Sequence, residues 1–465
     1  MSINNFSNPE KNPEKNDSLH LSNKQQVEIK IIDLNHEGEG VGRMNGFVFF
    51  VPGALPGEEI TATVESVSKK FARASLLSIN KSSPHRQLSP CPYFNRCGGC
   101  QLQHLTYTQQ LNWKHHKVKN DLKKIGGIET RVHPAKGMEY PYYYRNKARA
   151  GIALDRNNNI LCGFHEKNSN RLVNIEECLI QQPNNTEIIN GVRQTLQEMI
   201  TSGALPAFFP RFLTAVTCRV SFHSGEALLE LEATSGKIKL SQWKKLAREL
   251  FRRLDSINGV FLYQNKGRHR GYTLLCGDSY LFEKTSSFTF RLSPGAFFQV
   301  NTRQASYLYQ VAVNFCGEPQ TAFDLYCGTG TMSLYLERRA YRVVGIDVDP
   351  KAVNDAKYNA WLNEARRVEF YTGKAEESVE LLKAGDPPKT VVVDPPRKGC
   401  GSRLLKAIVE ESPDRVVYIS CNPSTLARDL SFLHSHNYKT QEVQPVDMFP
   451  QTTHIESVAS LKLIK

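Results

Sequence analysis

From Thr321 onward, apolar runs that read as strands alternate with segments that read as helices: TAFDLYCG, a helix through Leu334, YRVVGIDVD, a helix through Leu362, VEFYTG, TVVVDPP, a helix near Leu404, and RVVYISC. A strand that returns through a helix pairs with its predecessor in parallel. This alternation therefore predicts an α/β fold with an open, mostly parallel sheet and ligands at the carboxyl ends of its strands. The expected domain covers 291–465. A chain of 465 residues exceeds what one core holds, so further domains are expected upstream.

Residues 1–24 are rich in Asn, Lys, Ser and Pro and lack apolar periodicity; they read as a disordered tail. Between 25 and 82, short Val, Ile, Phe and Ala runs separated by glycines predict a small β-barrel, a shape used to bind oligonucleotides or simply to pack. Residues 83–290 open with clustered cysteines and a helix over 102–125, then mix strand runs such as KARAGIALD and EALLELEA with two helical patterns, predicting a central α+β region. No apolar run spans a bilayer, and the first residues carry no apolar signal stretch, so a cytoplasmic protein without membrane association is expected. The 59 Lys and Arg against 46 Asp and Glu leave +13. That excess suits RNA, a membrane surface or mere solubility. Basic residues lie beside aromatics at Arg145, Lys147 and Arg149, after three tyrosines, and again at 266–270; such interleaving suits looped RNA, whose bases stack while phosphates meet cations.

The run FDLYCGTGT ends a strand in a glycine-rich turn, and Asp347 ends the next strand, where a carboxylate can accept hydrogen bonds from a ribose. The turn lacks the third glycine of a dinucleotide fingerprint and the Lys-Ser/Thr of a phosphate loop. A nucleoside ligand without pyrophosphate fits better, and S-adenosylmethionine is the candidate; the alternative is a turn needed only for folding. Asp394 ends another strand before two prolines that stiffen what projects over the pocket. Methyltransferases with Asp/Asn-Pro-Pro-aromatic loops handle an exocyclic amine, but Arg397 replaces the aromatic. Another nucleophilic device is required. Cys421, at the end of RVVYISC, supplies one: attack by a thiolate on carbon 6 of a pyrimidine puts charge on carbon 5, which can then take a methyl group. A base must then remove the carbon-5 proton, and Glu456, with His454 nearby, stands in a late motif.

The eleven cysteines are an odd number in a compartment that keeps thiols reduced, which favours metal binding or catalysis over disulfides. Cys91, Cys97 and Cys100 give C-x5-C-x2-C. Spacing admits iron-sulfur or zinc equally, with Cys162 or Cys178 as fourth ligand. Cys218, Cys276 and Cys316 read as core residues, and Cys327 as a small residue in the turn. Cys400 stands near, but not directly at, the position of a second cysteine in RNA cytosine methyltransferases.

Taken together, GEGVGR, VPGALPGE, CPYFNRCGGCQLQH, YYYRNKARAG, SPGAFFQVN, DLYCGTGT, VVGIDVDP, VVDPPRKG, SCNPSTLARDL and DMFPQTTHIE resemble the RNA uracil-carbon-5 methyltransferases, specifically the bacterial branch with an N-terminal TRAM barrel and an iron-sulfur cluster. The resemblance implies an S-adenosylmethionine-dependent enzyme with a Rossmann-like catalytic domain, acting as a monomer on structured RNA, 23S ribosomal RNA first. It implies Cys421 as nucleophile and Glu456 as base. It places Gln299, Tyr326, Asp347 and Asp394 at cofactor-binding positions, and Cys91, Cys97, Cys100 and Cys178 on a [4Fe-4S] cluster. It also sets Phe297 or Phe298 against an extruded target base. Lys374 departs from the pattern, standing where some relatives have Asn near the adenine. The competing readings are an RNA cytosine-5 methyltransferase, a transfer-RNA uridine as substrate, and a non-catalytic RNA-binding iron-sulfur protein.

Overall fold

The computed structural model describes residues 21–464 apart from 45, 235, 237, 267, 268 and 378; the side chains of 265, 266, 269, 270, 379 and 380 are also outside it. The expected tail thus lies largely outside the described residues, as do the side chains of the basic cluster at 266–270. The chain divides into two compact units, Met1–Arg86 and Gln87–Lys465.

In the first unit, β1 (Gln26–Leu34), β2 (Gly40–Met44), β3 (Phe47–Val51), β4 (Glu59–Val67) and β5 (Phe71–Lys81) close a barrel in the order β1-β2-β3-β5-β4. Inward residues alternate with outward ones along β1, so Val27, Ile29 and Ile31 meet Phe49, Val51, Ile60 and Val64 inside. Closure removes the free edges that five short strands would otherwise expose. Gly42 is required by close approach: a Cβ there would sit 2.2 Å from Ile29. Leu21 packs on this interior, and the Lys24 N–H donates to the Val64 carbonyl at 2.7 Å. The final residues of the expected tail are therefore part of the barrel.

The second unit begins with a cysteine-bearing loop and α1 (Tyr107–Lys124), then β6 (Arg131–Val132). The helix starts later than the expected 102, because Leu102 and Leu105 are buried in the turns that precede it. A seven-stranded sheet follows, built from β7 (Lys147–Leu154), β8 (Ile160–His165), β9 (Leu172–Asn174), β10 (Leu213–Val220), β11 (Ala227–Ala233), β12 (Ile257–Lys266) and β13 (His269–Gly277), in the order β13-β12-β11-β10-β7-β8-β9. Helices α2 (Pro183–Thr201) and α3 (Leu240–Arg253) bury Ile188, Val192, Leu196, Trp243, Leu246 and Leu250 against it. These positions recur every three or four residues, which places them on one face of each helix.

A hairpin of β14 (Leu281–Lys284) and β15 (Thr289–Leu292) and helix α4 (Thr302–Cys316) lead into the predicted alternation: β16 (Thr321–Leu325), α5 (Thr331–Leu336), β17 (Arg342–Asp347), α6 (Pro350–Leu362), β18 (Val368–Thr372), α7 (Val379–Lys383), β19 (Lys389–Val393), α8 (Ser402–Glu411), β20 (Arg415–Ser420) and α9 (Pro423–His434). The last two strands, β21 (Tyr438–Val446) and β22 (Glu456–Leu463), form an antiparallel hairpin. The sheet order is β18-β17-β16-β19-β20-β22-β21-β6. Strands β16 to β20 are parallel, whereas β22 enters antiparallel beside β20. The order reverses around β16, and the crevice at such a switch point is where open α/β sheets bind ligands.

Candidate active site

At the carboxyl end of β16 the chain turns sharply. The N–H groups of Tyr326 and Cys327 both donate to the Ile346 carbonyl, at 2.9 and 3.0 Å, which locks the turn to β17. Tyr326 holds φ at 76°, a left-handed conformation unusual for a bulky residue and concentrated at functional sites. Gly328 and Gly330 follow at 54° and 81°. A Cβ on Gly328 would meet no atom within 4 Å, so the space above the turn is open to a ligand. Asp347 faces the same turn. One carboxylate oxygen accepts the Gly328 N–H and the other the Asp349 N–H, both at 2.9 Å. Each oxygen keeps a lone pair for a hydroxyl. Asp324, which sequence reasoning did not single out, lies buried beneath the turn and accepts the Ser333 hydroxyl at 2.5 Å; burial, with the Asp347 charge adding to it, pushes its carboxyl up to about 7.

The segment between β15 and α4 packs on this turn. Phe298 shares one apolar cluster with Cys327 and Phe290 and is 3% exposed, whereas Phe297 is 68% exposed. Of the two rings expected at the target base, only Phe297 is free to meet one. Gln299 is buried next to Phe298, and its carbonyl accepts the Asn146 amide at 3.1 Å. Tyr326 donates through its hydroxyl to Glu376 at 3.4 Å. Lys374 is drawn to Glu377 at 2.9 Å.

The second half of the site comes from sheet register. Ser420 on β20 pairs with Ser457 on β22. In an antiparallel pair the next position on one strand faces the previous one on the other, so Cys421 stands opposite Glu456. Asp394 leaves β19 alongside, its N–H 3.4 Å from the Leu325 carbonyl. The Asn422 side chain ties the two loops together, its amide donating to the Arg397 carbonyl at 3.2 Å and its oxygen accepting the Ser424 N–H at 3.1 Å to cap α9. Arg397 in turn reaches His454 at 3.4 Å.

The electrostatics follow from this crowding. Burial, Glu456 and Asp394 push the half-buried Cys421 thiol up to about 11, against the pull of Arg397. Glu456 is buried, and burial with Asp394 beside it holds its carboxyl well above the usual range. Burial and Asp324 raise Asp394 to about 7. His454 is pushed down to about 4 by desolvation and by Arg397, Lys114 and Arg145. The group is a set of acids with raised affinity for protons, set near one guanidinium and one thiol.

Elsewhere, Cys91, Cys97, Cys100 and Cys178 line one cavity of about 50 Å³. Cys162, the other candidate for the fourth place, is buried in the core of the seven-stranded sheet. Among the described residues, no group of three or more His, Cys, Asp or Glu side chains is placed to hold a single metal ion. Cys400 is buried, with its N–H fixed by the Tyr418 hydroxyl at 3.1 Å and Asp429 at 2.8 Å, so it anchors its loop. Of the basic residues after the tyrosines, Arg149 pairs with Glu232 at 2.7 Å, and Arg145 lines the cysteine cavity. Among the described residues, no helix is long and apolar enough to cross a membrane.

Comparison with known proteins bears on both units. The model of the tRNA (uracil-5-)-methyltransferase family matches residues 106–464, and that of the TRAM domain matches 22–77. An uncharacterized RNA methyltransferase of Halalkalibacterium halodurans is 40% identical, over 94% of this chain and 97% of its own. One from Caldanaerobacter subterraneus is 38% identical with the same coverage. The crystal structure of Pyrococcus abyssi tRNA (uracil-54, C5)-methyltransferase in complex with S-adenosyl-L-homocysteine is similar over 94% of this chain and 100% of that one, with a TM-score of 0.72 and 29% identity. The chain belongs to the tRNA (uracil-5-)-methyltransferase family, as an S-adenosylmethionine-dependent RNA methyltransferase with an N-terminal TRAM barrel.

Proposed function

We propose that this enzyme methylates carbon 5 of a uridine in structured RNA through a covalent adduct with Cys421. The observation that carries the reading is the pairing of Ser420 with Ser457, which leaves the adjacent Cys421 and Glu456 close enough to interact at the carboxyl end of β20, in the sheet that bears the cofactor turn. When bound, S-adenosylmethionine supplies an electrophilic methyl group; Asp347, Tyr326, Asp394 and Gln299 are the residues that would hold it, and the open turn at Gly328 fits its nucleoside. The Cys421 sulfur bonds to carbon 6 of the uracil, and the ring electrons move to carbon 5. Carbon 5 takes the methyl group as the sulfonium–methyl bond breaks, which would leave the neutral thioether S-adenosylhomocysteine. Glu456 then accepts the carbon-5 proton, the C–H pair forms the carbon 5–carbon 6 double bond, and the carbon 6–sulfur bond breaks to return its pair to sulfur. Arg397 and the amino end of α9 favour the thiolate that this attack requires. Because both faces of the base are used, it must leave its stack, and the exposed Phe297 ring offers a surface to receive it.

Carbon 5 of 5-fluorouridine carries fluorine instead of a removable proton. RNA containing it should form a stable covalent complex with the intact protein and none with Cys421→Ala, read on a denaturing gel. Absence of that complex would refute the covalent reading.

The substrate we propose is large-subunit ribosomal RNA, on the resemblance to the cysteine-bearing branch. A transfer-RNA uridine is the second reading, favoured by the substrate named for the Pyrococcus abyssi neighbour. Maps of modified uridines from cells with and without the gene separate the two. We also propose that the central region, about 83–290, grips RNA for the catalytic region, 291–465, and that the enzyme works as a cytoplasmic monomer, which light scattering of purified protein tests for its oligomeric state. For the cysteine cavity we propose a [4Fe-4S] cluster on Cys91, Cys97, Cys100 and Cys178. What supports it is that all four thiols line one cavity, as four-thiolate coordination requires. Zinc without iron or acid-labile sulfide after anaerobic purification would overturn it.

A further inference from the structure

The segment that leads into the proposed base, 447–455, makes an irregular excursion between β21 and β22. An unsupported loop of that kind would leave its backbone groups to solvent and its geometry loose. Four consecutive carbonyls are instead each capped from a different place. Asn301 donates to Met448 at 3.0 Å, Lys114 to Phe449 at 3.2 Å, and the Tyr144 hydroxyl to Pro450 at 3.0 Å. The backbone N–H groups of Gln101 and Leu102 both donate to Gln451, at 3.0 Å each.

Two side chains of α1 complete the clamp. Lys114, with no exposed surface, meets the equally buried Asp447 at 2.6 Å. Gln110 pairs with Gln451 twice: its amide donates to the Gln451 side-chain oxygen at 3.0 Å, and its oxygen accepts the Gln451 N–H at 3.1 Å. The same amide donates to the Leu102 carbonyl at 2.9 Å. Gln110 therefore joins the base-bearing loop to the cysteine-bearing loop, and Cys100 is the immediate neighbour of Gln101. Gln451 itself holds φ at 70°, a conformation that a non-glycine residue keeps only when its surroundings dictate it.

We propose that Gln110 and Lys114 are positioning residues for the reaction, and that α1 with the loop at 91–102 sets the placement of Glu456. The cysteine cavity is then a brace for the catalytic base: what fills it acts on turnover through the geometry of Gln451, which shortly precedes Glu456 in the chain. This inference rests on the reading of Glu456 as the proton acceptor.

The test uses the full chain as Gln110→Leu, with Gln451→Gly as a second variant that accommodates the positive φ, loses the buried side chain with its bond to Gln110, and keeps the N–H that Gln110 accepts. Misplacing a reacting group by about 1 Å costs on the order of 10²-fold in turnover. Gln110→Leu should therefore lower kcat by about 10- to 100-fold at unchanged KM for RNA and S-adenosylmethionine. It should also accumulate a methylated covalent RNA complex on unmodified RNA, because proton removal is the slowed step, and speed amide hydrogen exchange over 448–456. Unchanged exchange in that segment in both variants would overturn the brace. So would a loss of turnover that tracks weaker cofactor binding without any accumulated complex, as a merely structural role predicts. Glu456→Gln is the reference: if it fails to accumulate the complex while exchange in Gln110→Leu still rises, the assignment of Glu456 falls and with it the role in positioning a base, and only the mechanical link from Gln110 to 448–456 stands. If Glu456→Gln accumulates it and neither variant does, the brace falls and the base assignment stands.

Discussion

The thiol of Cys421 and those of Cys91, Cys97, Cys100 and Cys178 are all pushed above the ordinary cysteine range, yet what faces them differs. Around Cys421, burial acts with two carboxyls, Glu456 and Asp394, and is opposed by Arg397. Around Cys100, which is raised to about 12, burial acts with the other three thiols and is opposed by a hydrogen bond from Gln103. The first thiol is balanced against acids that can take a proton and a cation that can hold a charge. The other four face one another, so they become thiolates together only if a positive group arrives between them. A raised thiol is thus no guide to its task; the neighbours are.

The largest effect separates the two sites outright. On the roles proposed for the two sites, Cys421→Ala should lower methylation by about 10³-fold or more, the scale on which a removed nucleophile is felt, while the iron and acid-labile sulfide of the proposed cluster stay at the wild-type level. Loss of iron in that variant would break the comparison. Next, Cys178→Ser should lose iron and melt at a lower temperature than wild type in calorimetry, with turnover reduced but not abolished. Cys162→Ala, in the core of the seven-stranded sheet, should keep its iron and cost roughly 1 kcal/mol in denaturant unfolding.

A further contrast appears with pH. Asp394 and Asp324 are both raised by burial to about 7 from 3.8. Groups raised on folding contribute stability that is complete below their unfolded values and is lost as pH rises through the folded ones. Between about pH 4 and 7 the contribution of these two groups should therefore lower the melting temperature, and the fall should be smaller in Asp394→Asn. Over the same window kcat/KM should rise, because the proposed base and nucleophile are both needed without their protons. A falling rate profile would contradict the proton-holding character of the site. The smallest effect is expected at Cys400, whose N–H rather than its sulfur does the anchoring. Cys400→Ser should leave turnover within about twofold and cost about 1 kcal/mol or less.

Much of the catalytic half was legible because its signals are local. Alternating apolar runs and glycine turns specify parallel strands and their ligand-binding ends, and Asp347 and Asp394 each terminate such a run. The cysteine spacing was equally plain, but it could not choose between Cys162 and Cys178, since that depends on which residue the fold brings back over the loop. Phe297 and Phe298 were indistinguishable in sequence, and packing against Cys327 is what buries the second. Least legible were contacts made across the length of the chain. Lys114 reads as one more cation on a basic helix, and only Asp447, far along the sequence, explains its burial. The two residues of β6 carry no strand signal of their own; they extend because β21 offers them a parallel edge.

The hairpin of β21 and β22 also sets an order of events during synthesis. Cys421 ends a strand completed by ordinary β-α units, but Glu456 arrives 35 residues later, on the strand that inserts beside it. At about 5–20 residues per second, a ribosome delivers the second group roughly 2–7 s after the first. On the proposed mechanism, a chain halted in that interval would own the sulfur that attacks the pyrimidine and lack the carboxylate that allows its release. It would also lack the strand that closes the sheet beside β20, because β22 carries both the carboxylate and that closure. Completion of the sheet and the proposed means of release therefore arrive in one step.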